Sequence, residues 1–211
     1  MARMVKFSVM AAVLGSIVLG GWTGGIMAAD QAGPKLEGCK IAMIIAYRDF
    51  RDEEFKAPQK VFTDEGAAVT VFSSKTGKAY GMLGATVPVD QAIADLKVDE
   101  FDAVVFVGGA GVKDEYWNNA AAQAIAKQAV EKDKVLGAIC IAPVVLANAG
   151  VLEGKQCTVW SDVSGEVKKK GGQVAGKPVV VDGKIVTGNG PDASKAFALA
   201  VVDVLAGAKQ P

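Results

Sequence analysis

The chain has 211 residues, 51% of them hydrophobic, with 23 basic and 23 acidic side chains and no histidine. That length and apolar content are enough for a full core in one domain, and balanced charge without a basic cluster argues against a nucleic-acid partner. Without histidine, no Cys-His or Ser-His hydrolytic pair and no histidine-ligated metal can form within it.

Arg3 and Lys6 precede an apolar stretch from Phe7 to Ala29 that ends in small residues. This pattern reads as an export signal over residues 1–29, cut after Ala29 or, alternatively, after Ala28, and leading to the periplasm or the exterior. The alternative is a retained membrane anchor, because the stretch is long enough to span a bilayer. Its several glycines favour cleavage. Loss of Arg3 and Lys6 leaves 21 basic residues against 23 acidic ones, in a mature chain that begins near Asp30.

A polar link over 30–38 leads into a single domain over 39–207, followed by a short tail, 208–211. CKIAMIIA (39–46) is a buried strand, Asp52 to Glu65 a helix stopped by Gly66, and AAVTVFS (67–73) a second strand. Pro88 and Asp90 introduce a short helix through Leu96, AVVFVG (103–108) is another core strand, and 120–132 is helical. A strand over 135–139 runs into a helix carrying Pro143 in its first turn and Gly150 as its stop. CTVW (157–160) reads as one further strand, and Lys168, Lys169 and Lys170 as a solvated helix end. PVVVDGKIVTG (178–188) is a hairpin turned at Asp182-Gly183. The closing helix, Ala193 to Ala206, buries Phe197, Ala200, Val201, Val204 and Leu205. Such alternation implies an α/β fold with a mostly parallel sheet covered on both faces, whose ligands bind at the carboxyl ends of the strands.

Three loops therefore matter: those after Ala46, at Gly108-Gly109, and at Cys140. Ala138 to Ala142 has the small-x-Cys-x-small spacing of a nucleophile elbow, which needs small neighbours for its tight turn. A cysteine there sits near a helix N-terminus, and a lowered thiol pKa is expected. Glu54, early in the first helix, reads either as a protonated carboxyl facing Cys140 or as part of a solvated acidic first turn with Asp52 and Glu53. Gly108-Gly109 reads as an oxyanion-binding backbone or as a tight turn alone. No Lys-Ser or Lys-Thr follows at P-loop spacing and GGAG matches a dinucleotide loop only weakly, so no cofactor and no metal are expected. Of the three cysteines, Cys39 and Cys157 read as small buried hydrophobes or as a disulfide pair. An odd count leaves at least one thiol free or paired between chains.

Strand 39–46, Glu54-x-x-x-Pro58, VVFVGGAG, the elbow GAICIAPVVLANAGVL and the ending VTGNGPDASKAFALAVV together resemble the DJ-1/PfpI family, within the class I glutamine-amidotransferase-like group, from about Lys40 to Gly207. The resemblance implies a flavodoxin-like sandwich and a homodimer. It makes Cys140 the nucleophile, Glu54 its protonated partner, and Gly109 and the Ile141 amide oxyanion donors beside Gly108. Two family features are missing. Protease-like members place histidine directly after the cysteine, where Ile141 stands, and other members have one near the next strand, where Trp160 stands in CTVWSD. The family's arginine has no clear counterpart in SSKTGKAYGML. Asp162 or Tyr47 could supply a proton instead.

The favoured function is an exported cysteine enzyme acting on small reactive carbonyls, such as methylglyoxal, or on their protein adducts. The missing histidine weakens a hydrolase or peptidase variant. One alternative is a stress-related redox sensor in which an oxidant attacks Cys140, since oxidation requires no histidine. Another is a binding protein whose crevice Ile141 and Trp160 make apolar. A membrane is involved only if the N-terminal segment is retained.

Overall fold

Continuous apolar runs become the inner strands of a seven-stranded sheet. The computed structural model describes residues 33–208, so the expected export segment and the last three residues of the expected tail lie outside the described residues. In chain order, β1 (Lys40–Ile44) is followed by a short β2 (Arg48–Phe50), α1 (Asp52–Asp64) and β3 (Ala68–Ser73). A hairpin of β4 (Gly77–Gly81) and β5 (Thr86–Val89) precedes β6 (Gln91–Ala92) and β7 (Ala103–Phe106). Then come α2 (Gly111–Glu115), α3 (Ala120–Glu131), β8 (Val135–Ile139) and α4 (Pro143–Asn148). The chain ends with β9 (Gln156–Cys157), α5 (Ser164–Lys169), β10 (Gln173–Val174), β11 (Val179–Asp182), β12 (Ile185–Gly188) and α6 (Ser194–Ala208).

The strand order is β11-β12-β8-β7-β1-β3-β6, with only β11 and β12 antiparallel. Every residue of β7 and β8 is buried, as expected of central parallel strands covered on both faces. α1 packs on α6 and α3 on α4, supplying the two helical layers. The chain builds outward from β1 through β3, then returns to the other side of β1 with β7. That reversal opens a crevice at the carboxyl ends of β1 and β7, where this class of sheet binds ligands. The architecture is the expected flavodoxin-like α/β sandwich.

Several local expectations change. The segment from Pro88 to Leu96 is not a short α-helix. Thr86–Val89 alternates exposed and buried residues, so its period of two favours a strand, and Pro88 is tolerated in the small β2-β4-β5 sheet opposite Lys78. Only a single 3-10 turn, Ile93–Asp95, follows. CTVW is not a four-residue strand either. Only Gln156 and Cys157 pair, and Thr158 leaves the ladder because its amide donates to Thr187 Oγ1 (2.8 Å) and its hydroxyl to Lys177 O (2.7 Å). The late hairpin turns at Gly183-Lys184, one residue later than expected, with Asp182 opposite Ile185 and Gly183 at φ +61°. On α6 the buried face carries Ala198 and Val202, while Ala200 and Val204 are half-buried. Cys39 and Cys157 are both buried free thiols, not a disulfide. Within the expected link, Leu36 is fully buried and its N–H donates to Glu65 O at 2.8 Å.

Candidate functional site

Three consecutive acids open α1, and each is used differently. Asp52, buried, accepts the N–H groups of Leu83 (2.8 Å) and Ala85 (2.7 Å), tying the β4–β5 loop to the helix start. Glu53 pairs with Arg51, whose Nε donates at 2.9 Å. Glu54 is fully buried, and neither carboxyl oxygen has a hydrogen-bond partner among the described residues. It is therefore not part of a solvated first turn. Because Asp52 replaces water for two loop amides, Asp52→Ala is expected to cost about 2–3 kcal/mol and to speed proteolysis at Met82-Leu83, read by thermal melts and limited digestion.

The elbow places Cys140 directly after β8 with φ +63°, a left-handed conformation that costs a non-glycine residue about 1–2 kcal/mol. The surrounding backbone holds it there. Cys140 N–H donates to Gly188 O, and its carbonyl accepts Trp160 N–H, both at 2.9 Å. Gly108 lies between the two functional side chains: a Cβ there would sit against Glu54 Oε2 and within 2.5 Å of Cys140 Cβ. Gly109, at φ +113°, turns the chain so that its amide faces the thiol, as the Ile141 amide also does. Gly108 supplies the space between Glu54 and Cys140, and the amides that act on the thiol are those of Gly109 and Ile141.

Burial pushes the Glu54 carboxyl up to about 7; the Cys140 thiol and Arg51 oppose the shift. Burial first, then the Glu54 charge beside it, pushes the Cys140 thiol up to about 12, against the pull of the Gly109 and Ile141 amides. The expected lowering by a helix N-terminus is thus overturned. α4 has only six residues, starts with Pro143, which has no N–H, and cannot offset the desolvation of a largely enclosed sulfur. At neutral pH the sulfur therefore holds its proton beside a carboxyl group able to accept it.

A cavity of about 460 Å³ covers this pair, with Trp160, Asp162, Trp117, Met82, Arg51 and Lys113 in its walls. Trp160 and Asp162 thus lie in the cavity wall beside the pair. Tyr47 is elsewhere: its N–H donates to Glu115 at 2.9 Å and its ring lies under Lys75 Nζ at 4.4 Å. The sequence reading did not single out Arg51, Lys113, Met82 or Trp117. An arginine next to an acidic helix start and an aromatic residue in the polar EYWNN loop were the available signals. A neighbouring cleft of about 710 Å³ shares Trp160 and Pro191 but contains neither Cys140 nor Glu54.

The DJ-1/PfpI family model matches residues 39–204. Among curated relatives, an uncharacterised protein of Methanocaldococcus jannaschii is 39% identical over 84% of this chain and 87% of its own length. The deglycase TK1284 of Thermococcus kodakarensis is 36% identical over 71% of this chain and 89% of its own. Among solved structures, a ThiJ/PfpI domain protein from Brachyspira murdochii aligns with TM-score 0.78 and 36% identity, covering 80% of this chain and 96% of that one. Drosophila melanogaster DJ-1beta aligns with TM-score 0.74 and 27% identity, covering 80% and 91%. With its elbow cysteine and buried glutamate on this sheet, the chain belongs to the DJ-1/PfpI family.

Proposed function

We propose that the protein is a cysteine-dependent enzyme of the glyoxalase or deglycase kind, acting on small reactive carbonyls or their adducts. The observation that carries this reading is the fully buried Glu54, raised to about 7 beside the Cys140 thiol. A general base is most effective when its pKa lies near the working pH. Ionised Glu54 takes the thiol proton as Sγ forms a bond to the carbonyl carbon. The carbonyl π electrons move to oxygen, where the Gly109 and Ile141 amides stabilise the charge. Glu54 returns the proton to that oxygen, which leaves a neutral hemithioacetal. With an α-oxoaldehyde, Glu54 then takes the hemithioacetal C–H proton, the hydroxyl proton passes to the neighbouring carbonyl oxygen through an enediol, and Glu54 delivers its proton to that neighbouring carbon, giving the thioester of a 2-hydroxy acid. Water cleaves this to a 2-hydroxy acid and restores the thiol. The deglycase-named relatives favour the same chemistry.

The test is lactate formation from methylglyoxal. The full-length chain is expected to turn it over, and Cys140→Ser to lose at least about a hundredfold in kcat/KM. Unchanged turnover in Cys140→Ser would reject Cys140 as the nucleophile.

A second reading draws on the same geometry. If Cys140 is oxidised to the sulfinate, the Gly109 and Ile141 amides and a protonated Glu54 can all donate to its oxygens. Addition of two oxygens at Cys140 under dilute peroxide, without any turnover of carbonyls, would favour this sensor role over the enzyme.

A further inference from the structure

We propose that the cavity over Cys140 binds a carbonyl compound through an aromatic ring, lodged against Trp160 and Trp117 with the carbonyl directed at the sulfur. The inference rests on the carbonyl reading for its chemistry, but not for its test. Volume is the first argument. At about 460 Å³ the cavity falls within the range of about 300–1,000 Å³ usual for drug-sized ligands. A three-carbon dicarbonyl would leave most of that space wet. Water left there would stay in contact with Cys140, which is only partly buried.

The second argument is how the two tryptophans are held. Both are tied to the elbow, Trp117 by its indole and Trp160 by its backbone. Trp117 Nε1 donates to Ile141 O at 3.1 Å, and Trp160 N–H donates to Cys140 O at 2.9 Å. Trp117 is fixed further because its carbonyl accepts Gln123 Nε2 (2.9 Å) and Asn148 Nδ2 (2.8 Å). The Trp160 ring lies against Gly190, where a Cβ would come within 2.8 Å of Cε3. An indole fixed as that of Trp117 is costs little further entropy when a ligand binds.

The third argument is exposure. Trp160 remains 40% exposed and Met82 43% exposed, both in the wall of the same cavity as Ile141 and Cys140. Large apolar side chains left uncovered around a single concavity mark a binding surface. An aryl group would cover them and expel water from Cys140 in the same step. Offset or edge-to-face contact with an indole adds about 0.5–1.5 kcal/mol beyond the area buried.

The test uses full-length Cys140→Ala protein, which cannot form the thiohemiacetal, and ligand-observed NMR titration with acetophenone and butan-2-one. Acetophenone is expected to bind at least about tenfold more tightly. Trp160→Ala, a substitution at an exposed rim position, should remove most of that preference, and Trp160→Phe should keep it. Equal affinities for the two ketones, or an aryl preference unchanged in Trp160→Ala, would overturn the proposal. Because binding is read without turnover, the two readings fail separately. An aryl preference in a protein that turns over no carbonyl supports the ring site and rejects the proposed reaction. Methylglyoxal turnover without an aryl preference does the reverse.

Discussion

A Glu54→Gln variant is expected to be more stable than the parent protein at pH 8 and at least about a hundredfold slower in carbonyl turnover. The stability half follows from linkage. The folded carboxyl titrates near 7, against an ordinary value of 4.5, so the native state holds its proton more tightly than the unfolded chain. The stability this provides is fully present below pH 4.5 and is lost as pH rises through 7. Over that window the loss is on the order of 3 kcal/mol. Glutamine mimics the protonated state and keeps that stability at every pH, so the difference between variant and parent should grow between pH 5 and 8 in paired thermal melts. The chemical half has the opposite sign for the two properties of the sulfur. Removing the Glu54 charge removes the second cause of the raised thiol pKa, so Cys140 should alkylate faster at pH 8 in a Cys39→Ser/Cys157→Ser background. Turnover should nevertheless fall, because the thiol proton has lost its acceptor. Parallel melts for parent and variant from pH 5 to 8 would show that Glu54 is not the buried titrating group. A parallel drop in alkylation and turnover would show that it activates the thiol in the resting state.

The same pair shows what is legible in a sequence of this kind. The elbow strand, Val135–Ile139, has the expected limits because its signal is wholly local: an unbroken apolar run ending at small residues. Order along the chain brings Glu54 and Cys140 to the same end of the sheet but leaves open whether Glu54 faces the thiol or solvent. The direction of the thiol's pKa shift does not follow, because it depends on how completely the β4–β5 loop, Trp117 and Trp160 cover the sulfur. Those elements carry weak local signals. Residues 74–90 are short, glycine-punctuated and half exposed, so period two is visible in them only once burial is known. The Trp117 bond to Ile141 O joins residues 24 apart, a relation no local pattern encodes. Likewise, Trp160 marks the position of an absent histidine only through the family resemblance, and its role in the cavity wall emerges only from three dimensions.

Gly108→Ala should be strongly destabilising, and the damage should fall on the Glu54–Cys140 pair itself. The backbone at Gly108 needs no left-handed conformation, so the argument concerns space alone. The new Cβ would meet the Glu54 carboxyl, Cys140 Cβ at 2.5 Å and the Ile139 carbonyl oxygen at 2.8 Å. A flexible side-chain end could move aside, but here the neighbours are a fully buried carboxyl, the Cβ of a left-handed residue and backbone of the central strand β8. The Gly108 carbonyl is itself held by Arg51 N–H at 2.9 Å, so retreat of the loop would pull on the start of α1 and displace Glu54. Overpacking of this kind costs about 1–3 kcal/mol and more where backbone must yield, so a loss of at least about 3 kcal/mol in denaturant melts is expected. The remaining folded protein should show Cys140 alkylation independent of Glu54, because the two groups have been forced apart. Gly165→Ala provides the contrast: it lies within α5, nothing is within 4 Å of its Cβ position, and φ there is not positive. That variant should be neutral or stabilised by up to about 1 kcal/mol. If the two alanine variants melt alike, the gap between Glu54 and Cys140 is wider than the geometry described, and the proton path between them would have to run through water.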